Sequence, residues 1–303
     1  MNNFNGFMKF VVTGGAGFIG NNIVKQLLKQ NHIPIVIDNL CRGEIKRISS
    51  SDVEFHKVDI RNFDQLKTIL KNSDGIFHQA ALTDVQESFT KQEEYNDVNV
   101  KGTENVFKIA KEFNLKVVYA SSSSVYGNPE KIPIIENSKR DPINPYGKTK
   151  LDDEFIAEKY SKDNISIIGL RYFNVYGKGQ TGSYAGVITK FINKLKENKN
   201  PVIFGLGTQV RDFIFVEDVA LANISAMKNN VNSGFFNVGT GITTSINQLA
   251  KIMIELSELK LEIQYEKALD GDVNNSQADT SLTESILKWK YSIKLKDGLQ
   301  TII

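Results

Sequence analysis

Through the first half of the chain, short apolar runs rich in β-branched residues alternate with amphipathic stretches. Lys9 to Thr13 is apolar at successive positions, the pattern of a strand buried on both faces. Ile35 to Asp38, Val53 to Val58, Ile76 to His78, Lys116 to Ala120 and Ile165 to Leu170 repeat it and are the other predicted strands. Between them the period becomes helical. Ile19, Ile23, Leu27 and Leu28 share one face, and Phe63 to Leu70, Val98 to Phe113 and Lys148 to Tyr160 are predicted helices. Strands alternating with helices predict an α/β fold with a doubly wound parallel sheet, covered on both faces and joined by right-handed crossovers. After about Gly177 the rhythm loosens: glycines recur at 177, 179, 182, 186, 205 and 207, and short strands mix with helices. Residues 1–176 are therefore expected to form the main sheet domain. Residues 177–303 are expected to form a smaller, tightly packed lobe, with some segments returning to the main sheet.

Composition narrows the setting. A length of 303 residues suits one large domain or two closely joined ones, and 41% apolar with 24% charged residues is ordinary for a soluble globular chain. Net charge is +2, from 37 basic and 35 acidic residues, which argues against a nucleic-acid or membrane footprint. Nowhere does an apolar run approach the ~18 residues of a transmembrane helix. Met1 to Phe7 is polar and Asn-rich, unlike a signal peptide. Cys41 is the one cysteine, so no intrachain disulfide forms, and it reads as a packing residue rather than a nucleophile. A cytoplasmic chain with no nucleic-acid or membrane partner, and no metal site, is the expectation.

The first candidate chemistry is Thr13-Gly14-Gly15-Ala16-Gly17-Phe18-Ile19-Gly20, between the first strand and the first helix. Gly14, Gly17 and Gly20 supply a tight turn, a backbone bare enough for a pyrophosphate to approach, and close helix–strand packing. The helix amides and dipole then favour the phosphates, so a Rossmann-type dinucleotide site is predicted. Asp38 closes the second strand, where a carboxylate can accept from the adenosine ribose hydroxyls and would repel a 2′-phosphate. That favours NAD over NADP, although the nearby Arg42 could accommodate such a phosphate.

The second is a tyrosine–lysine pair. Of ten tyrosines, only Tyr146 has a lysine four positions on, at Lys150. At a helix start these positions share a face, and a nearby ammonium lowers the pKa of a phenol that is otherwise ~10. Tyr146 can then take a proton from an alcohol while hydride leaves the same carbon. The plain alternative is a surface helix start with a packed Tyr and a solvated Lys; following a nucleotide-binding half, the catalytic reading is favoured. Ser121 to Ser124 follow a predicted strand, where hydroxyls point into the ligand crevice of an open α/β sheet. For Ser121 an ordinary serine-rich loop is an equal reading.

Taken in order, these residues resemble an extended short-chain dehydrogenase/reductase of the nucleotide-sugar 4-epimerase type, over almost the whole chain. The resemblance rests on residues 13–20, Asp38-Asn39-Leu40, Asp59-Ile60-Arg61, His78-Gln79-Ala80-Ala81 and Asn99-Val100-Lys101-Gly102-Thr103. It continues through Ser121 to Gly127, Tyr146 to Lys150, Arg171 to Gly177, Arg211-Asp212-Phe213 and Gly271-Asp272-Val273. It implies a cofactor site at Gly14, Gly17, Phe18, Ile19, Gly20, Asp38 and Asn39, with Asp59 and Ile60 on the adenine. Ala80 and Ala81 would form its floor, Asn99 would stand by the nicotinamide side, and Ser121, Tyr172, Tyr146 and Lys150 would complete it. Ser122 matches the catalytic Ser/Thr position, and Ser122, Ser123, Ser124 and Tyr146 would face the sugar. Asn174 and Arg211 match diphosphate contacts, Val187 falls in the substrate pocket, and Val202 to Phe204 matches the strand that sandwiches uracil. For Phe204 a core aromatic is an equal reading.

Within that resemblance, related 4,6-dehydratases carry Asp-Glu where this chain has Ser123 and Ser124, which argues against dehydration. Ser276 matches a position where a bulky Tyr restricts some epimerases to plain hexoses, so a 2-acetamido group would fit. Asn274 departs from the family, falling where many relatives place an arginine on the diphosphate. The implied activity is NAD-dependent inversion at C4 of a UDP-hexose or UDP-N-acetylhexosamine. The alternatives are another nucleotide-sugar dehydrogenase, reductase or decarboxylase, or a non-catalytic NAD sensor. The resemblance also implies a homodimer through a four-helix interface built from the Val98–Phe113 and Lys148–Tyr160 helices.

Overall fold

A computed structural model describes residues 6–48, 53–163, 165–180, 186–268, 273 and 275–303. The first half runs β1 (Lys9–Thr13), α1 (Phe18–Lys29), β2 (Ile33–Ile37), β3 (Glu54–His56), α2 (Phe63–Leu70), β4 (Gly75–His78), α3 (Val85–Thr90) and α4 (Gln92–Tyr95). A wide π-type turn over Asn96–Lys101 leads into α5 (Gly102–Phe113), β5 (Lys116–Ser122), α6 (Pro145–Ser161), β6 (Ile167–Tyr172) and β7 (Asn174–Tyr176). Then follow α7 (Val187–Lys196), β8 (Val202–Phe204), β9 (Val210–Phe215), α8 (Val216–Lys228), β10 (Ser233–Val238) and β11 (Thr243–Ser245). The chain ends with α9 (Ile246–Ser257), β12 (Gln264–Glu266), α10 (Ser281–Leu287) and α11 (Leu295–Gln300).

Seven strands form one parallel sheet in the order β10-β6-β5-β4-β1-β2-β3. The chain moves outward from β1 through β2 to β3, then crosses back to place β4 on the other side of β1. The carboxyl ends of β1 and β4 thus flank a topological switch point, where open α/β sheets bind ligands. Successive residues of β1 explain why the strands read as continuous apolar runs. Phe10 and Val12 face a layer that includes Val24, Leu27, Val219 and Met227 from α1 and α8, while Val11 faces Leu66, Val106 and Ile109 from α2 and α5. Each such side chain is worth about 1.5–3 kcal/mol over exposure, so a slip by one residue would expose no polar face but would break both layers. A third cluster, with Phe191, Ile203, Phe213, Leu249 and Met253, packs around small sheets ordered β11-β9-β7 and β12-β8.

Two elements differ instructively from expectation. The helix expected from Lys148 begins three residues earlier, at Pro145, because Asn144 caps it: Asn144 Oδ1 accepts from Gly147 N at 2.8 Å and proline occupies the first turn. Pro and Gly so close together disguise a helix start as a loop. The strand expected over Val53 to Val58 pairs only at Glu54–His56, as the sheet's edge.

Candidate active site

Gly14 adopts a left-handed φ of 67° at the end of β1, and a Cβ there would meet Ala80 N at 2.7 Å. Only glycine lets the first turn lie against the segment after β4. A Cβ on Gly20 would run into the Gly14 carbonyl, so the start of α1 packs on the same turn. Gly17 caps α1 without a side-chain hydrogen bond, and the first turn of α1 contains no acid. Its amides and dipole are set to meet an anion.

Asp38, just past β2, is buried; its Oδ2 accepts from Ala16 N at 3.1 Å and its Oδ1 from Leu40 N at 2.8 Å. Burial raises its pKa, and the two amides oppose that rise. Asn39 Nδ2 donates to Asp59 Oδ2 at 2.8 Å, and Arg61 grips both oxygens of Asp59 at 2.9 Å, holding that carboxyl well below the usual range. Arg42 is drawn into an ion pair with Glu87, which also accepts from Lys91 and Tyr95. The cation that left NADP open is thus engaged by a carboxylate, and Asp38 stands at the strand end.

Behind Ala80 and Ala81 lies a buried polar layer. Thr13 Oγ1 accepts from Gln79 N and Ala80 N and lies 2.7 Å from His78 Nδ1, while His78 Nε2 lies 2.9 Å from Thr103 Oγ1. Burial, reinforced by the charge of Lys150, pushes His78 down to about 3. It is a neutral structural tie and is no general base near neutrality. Asn99 is fully buried and does not line the cavity. Its Oδ1 accepts from Leu82 N at 2.8 Å, and its Nδ2 donates to Leu82 O at 2.9 Å and Thr149 Oγ1 at 3.0 Å. It ties the segment after β4 to the first turn of α6. Tyr172 OH bonds Gln79 and Asn223 beneath the same floor.

Tyr146 and Lys150 enter from the first turns of α6. Tyr146 N donates to Ser88 Oγ at 3.2 Å, anchoring the helix start on α3. Lys150 is 3% exposed, and its Nζ lies 3.2 Å from Asp153 Oδ2. Ser121 Oγ is turned inward, donating to Glu154 Oε1 at 2.6 Å, so its hydroxyl is committed to the protein. Ser122 Oγ accepts from Ser124 N at 3.1 Å and can still donate into the crevice.

These residues converge on a cavity of about 620 Å³. Gly14, Gly17, Phe18, Ile19, Gly20, Asp38, Asn39, Asp59, Ile60, Ala80 and Ala81 line it, together with Ser121, Ser122, Tyr146, Lys150 and Tyr172. A second cavity of about 300 Å³ adjoins it, lined by Ser123, Ser124, Val202, Phe204, Arg211 and Ser276. Asn174 and Val187 border both. Phe204 is half-buried on this cavity, whereas its neighbour Ile203 is in the core. Arg211 Nη1 donates to Val210 O at 2.9 Å, and Ser276 N donates to the same carbonyl at 3.2 Å. Asn274 lies outside the described residues.

Sequence reasoning missed the carboxylates of α6. Glu154 holds Arg171 by two bonds, Nε to Oε1 at 2.7 Å and Nη2 to Oε2 at 2.8 Å, and Asp153 sits wholly buried beside Lys150. Among the described residues no cluster has the form of a metal site, and no helix is long and apolar enough to cross a membrane.

A glycine-lined switch point opening onto a tyrosine–lysine helix defines a dinucleotide-dependent enzyme of the extended short-chain dehydrogenase/reductase class. The model of the NAD dependent epimerase/dehydratase family matches residues 10–239, and the chain belongs to that family. It is 39% identical to a putative UDP-glucose 4-epimerase of Methanocaldococcus jannaschii, covering 97% of this chain and 96% of that one. It is 33% identical to a UDP-glucuronate 4-epimerase of Thermodesulfobacterium geofontis, covering 97% and 94%. A solved structure of UDP-N-acetylglucosamine 4-epimerase from Methanobrevibacter ruminantium, in complex with UDP-N-acetylmuramic acid, superposes with a TM-score of 0.94. That pair shares 34% identity over 98% of this chain and 97% of the other. The cofactor is NAD, and the bare Gly14 cradle, the uncapped start of α1 and Asp38 at the end of β2 suit it.

Proposed function

We propose that the chain inverts C4 of a UDP-hexose or UDP-N-acetylhexosamine through a transient 4-keto sugar, with Tyr146, Lys150 and Ser122 as the reacting set. The observation that carries this reading is that Tyr146, Lys150 and Ser122 share one cavity with the glycine turn, and that cavity continues into a second one bordered by Arg211, Phe204 and Ser276. In this reading residues 1–176 chiefly hold the cofactor and residues 177–303 chiefly the nucleotide-sugar.

The turn at Gly14, Gly17 and Gly20 with the first amides of α1 would hold the NAD pyrophosphate, Asp38 the adenosine ribose, and Lys150 the nicotinamide ribose. When bound there, NAD supplies the hydride acceptor and donor at the sugar carbon, so no second substrate is consumed. Tyr146 takes the proton from the 4-hydroxyl and returns it to the C4 oxygen after the keto sugar has turned to present its opposite face for hydride return, with Lys150 offsetting the negative charge that develops on the phenol and Ser122 hydrogen-bonding the reacting oxygen. Arg211 neutralises the diphosphate by a charge-assisted bond, while Val202 and Phe204 pack on the base. Ser123 and Ser124 supply no acid–base pair for dehydration, and Ser276 leaves room for an acetamido group. Uronates are the second substrate class to test, given the glucuronate epimerase among the similar proteins.

The test is to incubate the purified protein with UDP-glucose, UDP-N-acetylglucosamine and UDP-glucuronate, without added NAD, and to analyse the products by NMR. C4 epimers are expected, and Tyr146→Phe is expected to lower the rate at least 100-fold, on the order of a lost general base. Released carbon dioxide would make it a decarboxylase, and net consumption of added NAD a dehydrogenase. Full activity in Tyr146→Phe would sink the mechanism. A homodimer through α5 and α6 and a cytoplasmic setting, which suits the free Cys41, complete the proposal.

A further inference from the structure

Helix α6 contains an acid that the mechanism above does not use. Asp153 is 0% exposed, one turn beyond Lys150. Its Oδ2 accepts from Lys150 Nζ at 3.2 Å, and its Oδ1, also buried, has no hydrogen-bond partner among the described residues. A buried carboxylate with a bare oxygen is costly, and an apolar side chain would fill the place more cheaply. Such an arrangement is understandable if the charge acts on its neighbour.

We propose that Asp153 is a positioning residue for the Tyr146–Lys150 pair: its carboxylate holds the Lys150 ammonium and sets how much of that positive charge reaches the phenol. This rests on the reading of Tyr146 as the proton acceptor. The surrounding groups leave Lys150 as the cation within bonding distance of Asp153. Arg171, from β6, is taken by Glu154. His78, from β4, is neutral and faces Lys150. Tyr119, from β5, buries a hydroxyl that faces Glu154 and Asp153 and has no hydrogen-bond partner among the described residues. On α6 itself, Asp152 and Glu154 add negative charge near Asp153. From the elements packed against α6, Lys101 pairs with Asp97 and Lys111 with Asp163, while Glu104 faces Tyr160.

Burial pushes Asp153 up to about 7, with Lys150 pulling it back down. Above that pH the carboxylate is charged and offsets the ammonium; below it the acid is neutral and the full lysine charge acts on Tyr146. Protonation of Asp153 therefore raises the positive charge that Lys150 presents to the phenol. The titration of Asp153 is thereby coupled to the reacting pair, and the acid limb of the rate profile is spread out.

The experiment compares the NAD-loaded wild type with Asp153→Asn, which keeps the shape and an acceptor but no charge, and with Asp153→Ser as a second variant should Asn misfold. Two readouts are taken: the pH profile of kcat/KM on the UDP-sugar found to be turned over, and titration of the Tyr146 phenol by difference absorbance against Tyr146→Phe. Both curves are expected to move to lower pH by about half to one unit and to steepen to a one-proton slope. In a Lys150→Met background the same substitution is expected to produce a smaller shift. No shift in a folded variant, or a shift to higher pH, overturns the proposal; an undiminished shift without Lys150 overturns the route through lysine. The absorbance titration needs no turnover. A protein inactive on every UDP-sugar would therefore count against the proposed function while leaving the Asp153 proposal readable.

Discussion

Replacing Glu154 by Gln tests whether the buried Arg171 pair holds the strand end that carries Ser121 and Ser122. Four donors converge on the Glu154 carboxylate: Oε1 takes Ser121 Oγ at 2.6 Å and Arg171 Nε at 2.7 Å, and Oε2 takes Arg171 Nη2 at 2.8 Å and Arg140 Nη1 at 3.0 Å. Glutamine offers one acceptor oxygen and an amide that only donates. With its amide toward Ser121, the hydroxyl can rotate to accept, so the loss concentrates on Arg171 Nε and on the missing counter-charge. Arg140 keeps Glu158 at 2.9 Å, and Arg171 Nη1 keeps Tyr126 OH and Glu136 O. One charge-assisted bond is worth about 1.5–3 kcal/mol, and stripping one partner from a buried pair costs about 3–5 kcal/mol. The retained contacts place this substitution near the lower end, about 3 kcal/mol. Denaturant unfolding of wild type and variant at one fixed NAD concentration measures it, since bound cofactor would otherwise shift both midpoints. A loss below about 1 kcal/mol would refute the reasoning, because the charge would then be adequately solvated without Glu154.

His78 gives a pH-dependent prediction. Burial takes its pKa from the ordinary imidazole value of 6.5 down to about 3 on folding, so between those values the unfolded chain binds a proton that the folded chain refuses. The stability it contributes is complete above 6.5 and is lost progressively as pH falls toward 3. Its share of the slope is up to about 1.4 kcal/mol per pH unit. Unfolding free energies measured at pH 7 and pH 5 should therefore converge more closely in His78→Asn than in wild type; equal slopes would rule the assignment out. The proposed dimer has a handle at Phe155 on α6, which is 50% exposed, with Phe89 on α3 at 41%. Light scattering is expected to return twice the chain mass, and Phe155→Glu to halve it; a wild-type monomer would end that proposal.

The parts legible from sequence are those whose chemistry is local. Turn glycines need only their neighbours to be recognised, and the tyrosine–lysine spacing needs only a helix. The carboxylates of Asp38 and Asp59 were foreseeable as cofactor neighbours, but the demands on them were not. Arg61 and Asn39 engage Asp59, and the Arg42–Glu87 pair joins residues far apart in sequence. The motif position of Asn99 points to the cofactor; in three dimensions its amide bonds Leu82 and Thr149. Ser121 and Ser122 are adjacent on one strand, so their side chains diverge, one toward Glu154 and the other toward the crevice.

Helix α6 shows why the remainder was hidden. Periodicity assumes that a helix turns its apolar stripe inward, yet here Lys150, Asp153 and Glu154 are buried while Phe155 is exposed. Hydrophobicity alone gives that helix no preferred orientation, because its apolar residues do not gather on one side. Beside the packing of Ile156, Ala157 and Tyr160 on the core, polar bonds hold it in the observed orientation: Asn144 caps its start, Ser88 receives the Tyr146 amide, and Arg171 comes out of the sheet to meet Glu154. A helix that breaks the local rule in this way needs compensating bonds at nearly every turn, and such conflicts concentrate where a chain trades stability for chemistry. The buried charges of α6 are therefore themselves a sign of the site, independent of the Tyr146–Lys150 spacing. This orientation brings a cation to the cavity and places Asp153 against it, and in the proposal above it is that acid, which no motif names, that sets how the cation is held.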